Sequence, residues 1–267
     1  ASDCTHVGNR AGDGHNNSYN TSVGADSLSG GAATYNTAMG YKAGEAIGGE
    51  ANTAIGANSM KVHAANFSTA VGYNCLEQST TGNNDAFGAS ALNGVTSGTG
   101  NAAFGRGSLQ LASSSQNSAF GHESLNSATT SGYNAAFGYE ALHDITTGGS
   151  NAGFGHQAMK LATTMSATTA IGTNAGGDIT TGSQNTFLGF YASVGFESGA
   201  TSNMLYIARN DSGAGAAATW IKGTSDGACY QGNNSSTWST TSDVRIKKDI
   251  VDNTQGLDVI NNIRVRN

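Results

Sequence analysis

The chain has no proline, and only 11% of its 267 residues are charged. Its hydrophobic share of 37% is below that of an ordinary globular domain, and much of that share is alanine, which buries little area. A compact monomer of this composition would have a thin core. The formal charge of −6 leaves no basic footprint for nucleic acid. No apolar run approaches the length of a membrane span. Cys4, Cys75 and Cys229 are odd in number and far apart, with neither a zinc spacing nor a CxxC motif, and they read as buried free thiols. Neither a cofactor nor a metal is implied.

What the chain has in abundance is glycine, 39 residues of it, and a subset of these is metronomic. Gly8, Gly24, Gly40, Gly56, Gly72, Gly88, Gly105, Gly121, Gly138, Gly155, Gly172 and Gly189 follow one another at steps of 16 residues early and mostly 17 later. Each closes a near-copy of Asn134-Ala135-Ala136-Phe137-Gly138, with degenerate copies at 68–72 and 168–172. A period held in phase over twelve copies is the signature of repeat architecture. Low charge alone would also fit disorder, but a large apolar residue returning at a fixed place in each copy does not.

Alternation within each copy suits a short strand. Val23, Met39, Ile55, Val71, Phe87, Phe104, Phe120, Phe137, Phe154, Ile171 and Leu188 share one slot, and the slot before it is nearly always alanine. These two slots point to opposite faces. The small one suggests close approach of another backbone, across the coil or from a second chain. A second apolar slot lies four residues after the glycine: Leu28, Met60, Leu76, Leu92, Leu109, Leu125, Leu142 and Met159. Glycine permits the tight corner, and the Thr/Ser/Gly-rich stretches at 80–82, 146–149 and 180–182 supply a second bend. The expected fold is all-β: a parallel β-roll or β-helix solenoid of about twelve turns, stacked at roughly 4.8 Å. The repeated asparagine is expected to bond along the stack or to its own turn, with a sugar-binding ladder as the functional alternative.

The cores Asn52-Thr53-Ala54-Ile55-Gly56 and Ser68-Thr69-Ala70-Val71-Gly72 resemble the head repeat of trimeric autotransporter adhesins, a left-handed parallel β-roll. The longer unit at Asn134–Leu142 is more similar to phage fibre proteins. The resemblance spans about residues 4–197, with a rung longer than that of the adhesin head. Both families are homotrimers, which fits a coil too thin to be stable alone.

Residues 1–197 are therefore expected to form a shaft, 198–241 a β cap and 242–267 a separate tail. Within the cap, 203–208 and 218–222 read as strands, and Trp220 and Trp238 have the bulk to close the open end of the coil against edge pairing. The run Thr241-Ser242-Asp243-Val244-Arg245-Ile246-Lys247-Lys248 resembles the opening of the intramolecular chaperone domain of phage tail fibres and tailspikes. That resemblance implies trimer assembly and a single self-cleavage, with Ser242 as nucleophile and Lys247 as its base. The 25 residues after Ser242 suffice for one short helix, with Leu257, Ile260 and Ile263 at helical spacing. They are too few for the complete domain, which counts against cleavage.

No enzyme site stands out. Glu123 and Glu140 share a slot on adjacent rungs, a spacing a glycosidase could use, yet equivalent residues of a repeat more simply form a solvated face. His122, Tyr139 and His156 follow the glycine on successive rungs and form a candidate stripe for carbohydrate contact. Thr80, Thr96, Ser113, Thr129, Thr146, Thr163 and Thr180 form a ladder that reads as turn chemistry or, less simply, as an ice-matching array. The expected function is a trimeric, non-enzymatic viral tail fibre or appendage. It would be extracellular on the virion and bound to other tail proteins, and would attach to a host glycan or receptor. A bacterial adhesin head and a polysaccharide-depolymerising tailspike are the alternatives.

Overall fold

The computed structural model describes residues 3–13, 17–31, 33–111, 113–192, 199–200, 202–208 and 219–231. The repeat folds as a parallel β-solenoid. Three-residue strands at Thr5–Val7, Thr21–Val23, Thr37–Met39, Thr53–Ile55, Thr69–Val71, Asp85–Phe87, Ala102–Phe104, Ser118–Phe120, Ala135–Phe137, Ala152–Phe154, Thr169–Ile171 and Thr186–Leu188 pair in chain order into one parallel sheet. Register is uniform, so that Ala119 pairs with Ala136 and Phe120 with Phe137. Leu205–Ala208 adds a further parallel strand, and Thr219–Gly223 and Cys229–Gln231 continue the sheet antiparallel. Two small parallel sheets lie at the opposite bend. One pairs Ala46–Ile47, Val62–His63 and Gln78–Ser79; the other pairs Ile179–Thr181 with Gly199–Ala200.

The period comes from the glycines. Each adopts a φ between 120° and 146° that disfavours a side chain, and from Gly24 on each donates its N–H to the carbonyl of the large apolar residue one rung earlier, as Gly138 does to Phe120 at 2.8 Å. A Cβ on Gly138 would lie inside the van der Waals envelope of the Gly155 carbonyl oxygen, and the same overlap recurs rung after rung. Only glycine lets consecutive rungs stack at this corner.

The interior is narrow. On most rungs it takes the alanine of the strand and, on eight of them, the Leu or Met four residues after the glycine, all fully buried. The alanine thus faces the inside of its own coil, which decides between the two sources of close approach expected above. The large slot faces out: Phe137, Phe154, Ile171 and Leu188 keep about two-fifths of their surface exposed. The buried Leu or Met sits at φ 46–53°, and the residue two positions before it is also in the left-handed region on most rungs. Such a backbone costs a leucine about 1 kcal/mol. Burying its side chain contributes roughly 1.5–3 kcal/mol, so burial prevails.

The asparagines form the spine. Oδ1 of each accepts the backbone N–H of the equivalent residue one rung on: Asn117 from Asn134, and Asn134 from Asn151, both at 3.0 Å. Nδ2 donates to a backbone carbonyl 13 or 14 residues later, as from Asn151 to Met165 at 2.7 Å. The asparagines are at most 2% exposed, which removes the sugar-ladder alternative. Where Ser68 or Thr168 takes the slot, the hydroxyl accepts instead, at 3.3 Å.

At the C-terminal end of the sheet the inner slot enlarges to Phe187 and Tyr206, both fully buried, with ring centroids 5.9 Å apart. These fill the position expected of tryptophan. Trp220 is 62% exposed and does not enter the interior, and Trp238 lies outside the described residues. The thiols also depart from expectation. None of the three forms a disulfide, but only Cys75 is buried; Cys4 is half-buried and Cys229 exposed. The expected C-terminal helix falls outside the described residues.

Two glycines separate the corner from the strand. Gly138→Ala places a Cβ against backbone and is expected to destabilise by about 3 kcal/mol or more. Gly153 takes the place of the inner alanine, and its added Cβ would lie 3.2 Å from Cγ of Leu142. Gly153→Ala should therefore stay within about 1 kcal/mol of wild type. Thermal unfolding of the two variants checks this; equal losses would contradict it.

Candidate functional site

Two surfaces of the solenoid carry ordered side chains. The first is the outer face of the long sheet. Phe87, Phe104, Phe120, Phe137 and Phe154 stack there with ring centroids 4.6–4.8 Å apart and planes within 8° of parallel. The column continues at both ends in aliphatic residues, from Val7 to Leu188. Beside it runs a column of smaller residues, threonine over the first five rungs and mainly alanine or serine beside the phenylalanines. Asp85 is the one charged residue on this two-column face.

The second surface lies at the glycine corner. His122, Tyr139 and His156 come together as expected from their slot, with centroid separations of 5.4 and 5.1 Å. They stack face to face. Their ring faces are therefore turned towards one another, and the column offers solvent its polar edges rather than flat platforms. Arg106 heads the column, with Nη1 3.4 Å from Nε2 of His122. That contact makes Nε2 an acceptor and leaves Nδ1 protonated, 3.9 Å from the Glu123 carboxylate.

Acidic and basic groups flank the column. His143 Nδ1 lies 2.6 Å from Asp144, and its Nε2 lies 3.9 Å from Glu123. Lys160 approaches Glu140 at 2.6 Å, and Gln157 donates to Glu140 at 2.8 Å. Lys160 above all, with Gln157 and Tyr139, holds the Glu140 carboxyl down to about 2. A carboxylate so held is ionised near neutral pH and cannot serve there as a general acid. Among the described residues no three His, Cys, Asp or Glu side chains are grouped to hold a metal ion, and no helix is long and apolar enough to cross a membrane.

Next to this surface, Gln157, Lys160, Leu161, Asn174, Asp178 and Tyr191 line a shallow cleft of 280 Å³, at the small end for ligand sites. The threonine hydroxyls are committed along the stack. Thr129, Thr146 and Thr163 donate their hydroxyls to the carbonyl of the next rung at 2.9–3.1 Å, so the ladder is not a free hydroxyl array. Ser242 and Lys247 lie outside the described residues.

Shared slots made the corner column legible in the sequence. The direction of the phenylalanine face was not, because alternation separates two faces without saying which is inside. The interior's limited capacity, already filled by the Leu or Met slot, was the available signal. No protein-family model matches the chain, and comparison with curated proteins and with solved structures gives no match either.

The Lys160–Glu140 pair yields a direct check. In Lys160→Met the Glu140 carboxyl should rise from about 2 towards the ordinary glutamate value near ~4.3, read by NMR titration. A Glu140 that stays near its wild-type value would contradict the assigned cause.

Proposed function

We propose that the chain is a shaft-forming segment of a homotrimeric fibre, of the phage tail-fibre type, that stands off from a virion and attaches to a host surface. The observation that carries this reading is the unbroken apolar column on the outside of the sheet. A chain with 11% charged residues that sets a large apolar side chain outward on every rung leaves a face that calls for a cover. Twelve rungs at about 4.8 Å, two side chains wide, give a face of roughly 600–800 Å², comparable with the ~800 Å² that each partner contributes to a standard stable interface. Copies of the same chain supply a matching face without further design. Three such faces turned inwards make a stiff rod with a dry axis.

In that arrangement the glycine corner stays outside. The edges of His122, Tyr139 and His156, with Arg106 and the neighbouring carboxylates, then form the contact surface for a host glycan or receptor. Three copies multiply a weak contact by avidity. The resemblance of the 241–248 segment to the fibre chaperone supports the tail-fibre assignment over a bacterial adhesin head. Binding of other tail proteins follows from that assignment.

Native mass measurement tests the reading. The wild-type chain should appear at three times 26.8 kDa. Phe120→Asp with Phe137→Asp should shift it to monomer by placing uncompensated charge in the interface. A monomeric wild type at micromolar concentration, or a double variant that remains trimeric, would contradict it. Attachment is read from co-sedimentation of the labelled trimer with intact bacteria, and joint replacement of His122, Tyr139 and His156 by alanine should abolish it.

A further inference from the structure

One interior position breaks the chemistry of the coil. His63 lies in the short sheet at the second bend, paired in register with Ile47 on one side and Ser79 on the other. Further along, the corresponding interior positions include Val95, Ala128, Ile145, Ala162 and Ile179, all fully buried. His63 is fully buried as well, and neither ring nitrogen has a hydrogen-bond partner. The backbone groups of Ser79 and Ala65 lie near the ring but complete no bond to it, and they offset only part of the burial that pushes its pKa down to about 4. Charged residues on the flanking rungs, Lys42, Glu45, Lys61 and Glu77, occupy half-buried outer positions, and Glu50 and Asp85 are exposed. None of them contributes to the shift. The other titratable group in this part of the interior is Cys75, a neutral thiol that burial pushes up to about 12. An imidazolium at this position would have no counter-charge.

We propose that His63 is an acid-sensitive latch that holds the second bend of rungs 47–79 closed while neutral and opens it when protonated. In a stack whose turns touch only their neighbours, a local fault need not unfold the whole. Opening is therefore confined to the bend around His63, while the rungs at 134–172 stay shut. The sign follows from linkage. The closed form binds the proton only near pH 4 and the open form near the ordinary 6.5, so opening is favoured progressively as pH falls through that window. Between pH 7 and 4.5 the opening constant should rise roughly ten- to a hundredfold.

Hydrogen exchange of the full chain, corrected for the intrinsic pH dependence of the exchange rate, reads this directly. Amides of 62–79 should lose protection by that factor at pH 4.5, while those of 134–172 keep theirs. His63→Ile, which copies Ile47, should abolish the difference. Unchanged protection at 62–79 in wild type, or the same loss in His63→Ile, would overturn the proposal. NMR titration of the wild-type imidazole is independent of how the variant folds: His63 should remain neutral at pH 5.5, and titration near 6.5 in the closed form would overturn the latch.

Discussion

Close approach of consecutive turns at one glycine per rung is the constraint from which the architecture follows. A side chain there would meet the carbonyl of the next rung, and the same glycine N–H carries a rung-to-rung hydrogen bond. Once turns are locked at strand spacing, equivalent side chains fall into columns. Buried asparagines then satisfy the next rung's N–H and a distant carbonyl together, so little polar backbone is left unpaired inside a thin coil. The interior that remains is narrow. Beside a buried Leu or Met, the large residue of the strand is turned out, where the phenylalanine rings stack on each other.

The same geometry distributes stability along the molecule. Eight rungs carry a left-handed Leu or Met whose own burial offsets the cost of that backbone. The terms are local and repeated, so the coil behaves as a sum of turns and interfaces. Weak points are correspondingly local: the hydroxyls that replace asparagine at Ser68 and Thr168, and the unpartnered imidazole of His63. The last parallel strands depart from the pattern with larger inner side chains, Phe187 and Tyr206, which fill the interior where the sheet turns antiparallel.

Much of this was legible in the sequence because it is periodic. The glycine phase located the twelve strands, and shared slots put His122, Tyr139 and His156 in one column. What depends on volume or torsion was not legible. Alanine and phenylalanine are both apolar, so their order along a strand does not say which is interior. Left-handed leucines carry no sequence mark, since glycine is the residue expected at positive φ. Ring orientation decides whether the corner column offers faces or edges, and side-chain torsions set it. Tryptophan bulk suggested a plug, yet Trp220 faces solvent.

A phase-locked stack makes axial distance a linear function of rung number. Ala57 and Thr173 occupy the same corner slot seven rungs apart. Paired spin labels at these two positions, with the native cysteines replaced by serine and labelled chains diluted into unlabelled ones, should give a separation of about 34 Å. Moving one label a single rung, from 57 to 73, should shorten it by about 5 Å. Distances that do not change in rung-sized steps would contradict the stacked coil, and with it the outward apolar column on which the fibre reading rests.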